Sequence, residues 1–496
     1  MLRSSFLRGL LPAAGGILVA AAGALVAVGC FLGLYVRPTS DDWCAAYKAR
    51  DLGVTGITAD FYLTQNGRVT NAFLSGLVYS GGPAGTKVLP ALIAVALTAG
   101  LVLLGREGVR RLGGTPRLLP LTAAALVVQA LLYYGGPRPY QVLLWAPATI
   151  SHTVPAVIGV WALLLAVRTV GHPRPAVRRG GLAAAFLLAA AIGTLSEPFA
   201  FVSGLLAAGA GLLALPRLGL ARTWRPFTWC LLWCAGLLGG LLLLHTSPGA
   251  RWRRAQQPPA EPLLSASGLR GTFEDWLHMW GSTTGQWAYL GAAAAGVLLG
   301  LGTRLGTRPP WRPRRPPVPR RLWVLLLLLP VPVVVLGSFA VVLGLRSGYG
   351  PTGWTYARTW TSHLAVTLVA LCLYGALLGE RLARTAAGRP GARPGPRPAV
   401  LVAGVLVAGG MALASAAALV PHVQQLTTAT VTRAVAWDGQ DARIRAEIAR
   451  GATDVGYRPL YVGGLAEPFF TAAYDRDWVA ACVAEWYGVD RIHRRR

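Results

Sequence analysis

The sequence specifies an all-α polytopic membrane protein with about 11 transmembrane helices, a long first outer loop and a small α/β C-terminal extracytoplasmic segment. Three observations point there. Of 496 residues, 54% are apolar and only 13% charged, where ordinary globular domains carry roughly a quarter charged. Apolar runs long enough to cross a bilayer core, about 20 residues as helix, recur along the chain. The basic residues between them alternate in density from one loop to the next. A soluble globular enzyme is excluded for want of polar surface, and a disordered chain by its apolar content. With 61 Gly and 35 Pro but no Gly-X-Y period, a collagen-like chain is excluded too.

The expected spans lie near 11–36, 86–105, 118–135, 153–167, 181–196, 198–216, 226–245, 285–303, 322–345, 364–379 and 399–420. The first is a retained anchor: Phe31 to Val36 continues the apolar run past Ala27-Val28-Gly29-Cys30, as a cleaved signal would not. Residues 181–216 as one helix would be about 54 Å long, against a hydrocarbon core of about 30 Å. A hairpin turning near Ser196-Glu197-Pro198 is the better solution. Residues 308–317, rich in Pro and Arg, read as a solvated linker.

Orientation follows from the arginines. With a cytoplasmic N-terminus, the inner loops carry 25 of the 47 basic residues and only two acids, Glu107 and Glu380. The opposite face holds 22 basic and 17 acidic residues. The net charge of +28 is therefore mostly a topology signal and does not call for a nucleic-acid partner. The C-terminus then lies outside. Residues 421–496 form the one sizeable polar segment, with a helix over 422–450, a strand over 457–462 and a helix over 477–486.

Candidates for chemistry cluster in the outer loops. The first loop, 37–85, opens with Ser40-Asp41-Asp42-Trp43 at the end of the first span. Adjacent carboxylates beside lipid are costly without a counterpart. A divalent metal, an acceptor hydroxyl, or a cap at the head of a helix over 42–51 each accounts for the pair. Tyr62, Asn66, Arg68 and Asn71 follow, aromatic and polar groups suited to a sugar or phosphate, with membrane anchoring as the alternative for the aromatics. The third loop, His245 to Arg254, brings Arg251, Arg253 and Arg254, whose guanidinium groups match phosphate oxygens or lipid headgroups. The fourth has Tyr349, Trp354, Tyr356, Arg358 and His363. Glu197 interrupts apolar sequence at the hairpin tip, and His152 stands at a span entrance. Each reads as functional in a cavity or as ordinary if it reaches water. No GxGxxG, Walker loop, CxxC or HExxH motif occurs.

The layout resembles the type C glycosyltransferase superfamily, which uses polyprenyl-phosphate sugars. It is nearest to uncharacterised bacterial membrane proteins related to O-antigen glucosyltransferases. The motifs that carry the resemblance are Ser40-Asp41-Asp42-Trp43, Asn66-Gly67-Arg68, Ser247-Pro248-Gly249 with Arg253, and Asp477-Trp478 to Trp486-Tyr487-Gly488-Val489. Ala250 stands where the third motif carries Asn. The resemblance implies a multi-pass protein of the bacterial plasma membrane that moves a sugar from a polyprenyl-phosphate donor to a cell-envelope acceptor. It assigns Asp41 or Asp42 as catalytic base or as ligand of a divalent cation (Mg or Mn). Arg68, Arg253 and Arg358 would bind the donor phosphate, with Tyr62, Asn66, Glu197 and His152 as substrate-binding candidates. A transporter or lipid flippase, or a non-catalytic envelope assembly protein, remains the alternative. Four cysteines lie in expected spans. Cys44 and Cys482 both fall on the oxidising face, where a disulfide would staple the C-terminal segment over the acid pair.

Overall fold

The computed structural model describes residues 2–218, 220–256, 265–304, 320–387, 397–466, 474 and 477–495. The linker expected at 308–317 lies outside the described residues. Among them, eight helices are long and apolar enough to cross a membrane, so the chain is an all-α polytopic membrane protein. Three other expected spans, near 118–135, 198–216 and 285–303, coincide with the shorter apolar helices Leu118–Tyr134, Glu197–Leu213 and Trp287–Thr303. The first two have 17 residues. At 1.5 Å per residue each is about 26 Å long, just under the bilayer core.

In chain order the first helices are α1 (Leu2–Leu32), α2 (Asp41–Asp60), α3 (Val69–Tyr79), α4 (Ala84–Arg111), α5 (Leu118–Tyr134), α6 (Ala146–Ala148) and α7 (Val154–Thr169). Next come α8 (Pro175–Gly193), α9 (Glu197–Leu213), α10 (Arg225–Thr246), α11 (Pro248–Gln256), α12 (Ala266–Thr284) and α13 (Leu290–Arg304). The last are α14 (Arg320–Leu328), α15 (Pro330–Tyr349), α16 (Thr361–Ala387), α17 (Arg397–Ala418), α18 (Val420–Ala449) and α19 (Trp478–Tyr487). Residues 194–196 break the chain between α8 and α9, and the Ser196 hydroxyl caps α9 by accepting the Phe199 N–H.

Lipid offers helices no hydrophobic reason to associate, so close backbone approach has to supply the packing. The α13–α16 contact does this with two Gly-x-x-x-Gly pairs, Gly296/Gly300 and Gly375/Gly379. A Cβ at any of the four would collide with a carbonyl oxygen of the facing helix.

Beyond α17 the chain forms a small mixed unit. Strand β1 (Asp454–Tyr457) pairs in parallel with β2 (Arg491–Arg494), and α19 lies between them in sequence. The expected strand at 457–462 is thus displaced toward the N-terminus. Pro459, which has no N–H to give a ladder, follows one residue after Arg458. Val455, Tyr457 and Ile492 join Trp437, Ile444, Val479 and Val483 in the core of this unit, and Trp43 of α2 is fully buried with them. Asp477 caps α19 through the Val479 and Ala480 N–H groups. Cys44 and Cys482 form a disulfide, with Cα atoms 4.9 Å apart. A unit this small needs such staples. The first loop and the C-terminal unit therefore share one core.

Candidate functional site

The segment leaving α1 is bound tightly before it enters α2. Ser40, buried, has φ 49° and ψ −124°, a conformation that costs a non-glycine residue about 1–3 kcal/mol. It is held from both sides. The Asp42 carboxylate accepts the Thr39 N–H at 2.9 Å and the Tyr79 hydroxyl. The Arg433 guanidinium of α18 donates to the carbonyls of Arg37 and Pro38.

These contacts divide the acid pair. Asp42 is buried with both oxygens engaged, and burial raises its carboxyl to about 7 against the pull of Tyr79 and Thr39. Asp41 is solvent-accessible and has no hydrogen-bond partner among the described residues. Burial is nevertheless the chief influence on its acidity and pushes it above its ordinary value, opposed by the charges of Arg358, Arg253 and Arg68. An accessible carboxylate amid dense protein lies in a recess open to solvent. The three arginines marked in the sequence, from three separate loops, converge on it.

Each arginine has a different seat. Arg68 follows the turn Asn66-Gly67 and lies 2.7 Å from the Glu197 carboxylate, whose other oxygen is 3.3 Å from His245. Gly67 has φ 74°, and a Cβ there would strike Ser247 and the Leu244 carbonyl. A Cβ at Gly249 would stand 2.6 Å from the Gln65 nitrogen. The motifs Asn66-Gly67-Arg68 and Ser247-Pro248-Gly249 thus pack backbone against backbone, a closeness glycine permits. Ala250 is buried in that contact and gives its N–H to Ser247. Arg253 is exposed and has no hydrogen-bond or ion-pair partner among the described residues. Arg358 stacks on Tyr356 and Trp145 at 4.7 and 5.5 Å and lies 3.4 Å from Gln141.

Of the remaining candidates, His152 is in the same field, acted on by Arg358 and Arg68. Asn66 turns inward to its own loop, where its side-chain carbonyl accepts the Arg68 N–H at 3.0 Å. That is a turn-forming role. Asn71 donates to Ser151 at 2.8 Å. Tyr62 is half-buried and has no hydrogen-bond partner among the described residues. His363 is buried against Trp280, and Trp354 lies against His278, so neither joins the recess.

Sequence reasoning missed Gln141, Trp145 and Ser151, because the backbone that delivers them is irregular. Three π-helical turns, Phe61–Gln65, Tyr140–Leu144 and Thr149–Thr153, carry Tyr62, Gln141 and His152. Such turns recur at functional sites, but no residue pattern announces them.

On its own the acid pair offers few donor atoms to a metal. Both oxygens of Asp42 are engaged, and the positive charges of three guanidinium groups act on Asp41. Among the described residues no group of three or more His, Cys, Asp or Glu is placed to hold an ion. The recess suits an anion facing a carboxylate. No family model, curated protein or solved structure matches the chain.

Proposed function

We propose that the protein is an integral membrane glycosyltransferase that moves a sugar from a polyprenyl-phosphate donor to a cell-envelope acceptor. The observation that carries this reading is Asp41, an accessible carboxylate with no hydrogen-bond partner among the described residues, acted on by the charges of Arg358, Arg253 and Arg68. Asp41 takes the proton of the acceptor hydroxyl, whose oxygen forms the new bond to the anomeric carbon. The bond from that carbon to the phosphate oxygen breaks, and the charge left on the departing phosphate falls among the arginines. A lipid-borne donor needs no nucleotide-binding domain and reaches the recess from the bilayer.

The reading includes the full topology: eleven spans, a cytoplasmic N-terminus, and the recess and C-terminal unit on the outer face of a bacterial plasma membrane. Reporter fusions at residues 310 and 496 test it, and equal compartments for the two would overturn it. A transporter or flippase would hold polar groups along its spans. The buried Gln129 of α5 is instead fully engaged with Thr98, Ala94 and Tyr133.

The deciding experiment is mass spectrometry of envelope glycans from cells with the gene, without it, and carrying Asp41→Asn. A glycan residue lost in the deletion and restored by wild type but not by Asp41→Asn is the expected result. Full restoration by Asp41→Asn would overturn the enzyme reading.

A further inference from the structure

Arg433 is a cation buried to 6% exposure, with no carboxylate in hydrogen-bond or ion-pair contact among the described residues. Its three donor groups all go to backbone carbonyls: Nε to Leu460 at 2.7 Å, Nη1 to Arg37 at 3.0 Å and Nη2 to Pro38 at 2.7 Å. Enclosing a guanidinium costs several kcal/mol unless the fold uses its bonds, and here the bonds fix the two residues that precede Thr39-Ser40-Asp41.

The same short segment is held elsewhere by the same unit. Arg37 makes a two-pronged ion pair with Asp438 at 2.6 and 2.9 Å. Trp43 stacks on Trp437 at 6.0 Å, and Cys44 is bonded to Cys482. Among the described residues, Asp41 itself has no hydrogen bond or ion pair to any of these groups. It is the free centre of a segment tied down on both sides, with the strained Ser40 beside it.

We infer that Arg433 is a positioning residue for Asp41, and that the C-terminal unit completes the active recess by fixing the 37–44 segment. The inference rests on Asp41 as the base. Without the guanidinium fork, Ser40 keeps only the Asp42 side of its clamp, and the Asp41 carboxylate drifts from the acceptor. A displacement of about 1 Å costs on the order of 10²-fold in rate, while the donor arginines, all outside the 37–44 segment, stay in place.

The test uses full-length protein in detergent with a polyprenyl-phosphate sugar, comparing wild type, Arg433→Ala and Arg433→Lys. Lysine keeps the charge but lacks the planar fork, so it separates positioning from a mere need for charge. Both variants are expected to lose about 10²-fold in kcat with donor KM unchanged. Amide exchange across 39–44 should quicken several-fold while the Cys44–Cys482 bond survives. Wild-type kcat and wild-type exchange in Arg433→Lys would overturn the inference. Full activity in Asp41→Asn would overturn the base assignment, and with it the positioning role, whatever the exchange shows.

Discussion

Arg68 of the first loop lies 2.7 Å from Glu197 at the head of α9, a contact between residues 129 positions apart. The pair decides the charge of the recess. Glu197 offsets one arginine, and Asp41 is left against Arg253 and Arg358. Two carboxylates thus face three guanidinium groups, and one positive charge among these groups remains for a bound anion.

The two aspartates should separate on mutation. Asp41→Asn removes the proton acceptor and should lower kcat by about 10²–10⁴-fold with unchanged thermal stability. Asp42→Asn keeps an acceptor for Tyr79 but loses one for the Thr39 N–H, which should cost about 1–3 kcal/mol of stability with a smaller effect on kcat. Turnover and melting curves on the same preparations check both.

Acidity gives a second test. Asp41 must be ionised to act, and burial raises its pKa, so activity should fall on acidification with a midpoint above the ordinary value of about 3.9. Arg358 favours the ionised form. Arg358→Ala should therefore shift the midpoint to higher pH, as a pH–rate profile will show.

Asp42 should leave its own mark on stability. Its pKa in the fold is about 7, raised from the unfolded value, so its contribution is full below about 4 and lost as pH rises through 7. Melting temperature should decline across that window in wild type, and the decline should be smaller in Asp42→Asn.

The arginine seats predict binding effects. Arg68→Ala should raise donor KM more than acceptor KM, and Arg68→Lys should rescue only in part, since a point charge lacks the fork. Glu197→Gln frees Arg68 from its ion pair and leaves a second net positive charge in the recess, so it should lower donor KM. Initial rates with each substrate varied in turn decide this.

A chelator should leave turnover unchanged, because Asp42 is engaged and the charges around Asp41 repel a cation. Activity lost to EDTA and restored by Mg or Mn would contradict the donor-set argument.

Much of the recess was legible because charged groups beside lipid demand a reason. Asp41, Arg68, Arg253, Arg358 and Glu197 stood out on that ground, and the structure brings all five together. The division between Asp41 and Asp42 was not legible. It depends on Tyr79, a residue 37 positions away that sequence gives no cause to single out. The turn-forming bond of Asn66 was not legible either, because turn-forming and substrate-binding asparagines look alike in sequence. Strand β2 escaped notice because a parallel partner has no local signature, and its register with Asp454–Tyr457 is set only by the fold. The Gly-x-x-x-Gly spacings of α13 and α16 were passed over, because nothing in either helix names the other.

The bond between Cys44 and Cys482 joins residues 438 positions apart, and this sets a timetable for biogenesis. Asp41 leaves the ribosome early, yet its segment stays unclamped through the insertion of every helix from α4 to α17. Only when Arg433, Trp437 and Cys482 have been delivered to the same compartment can it take its final shape. On the proposed reading, nascent chains arrested before that point should carry all the arginines of the recess and still be inert, which would keep half-built molecules from acting on the donor lipid.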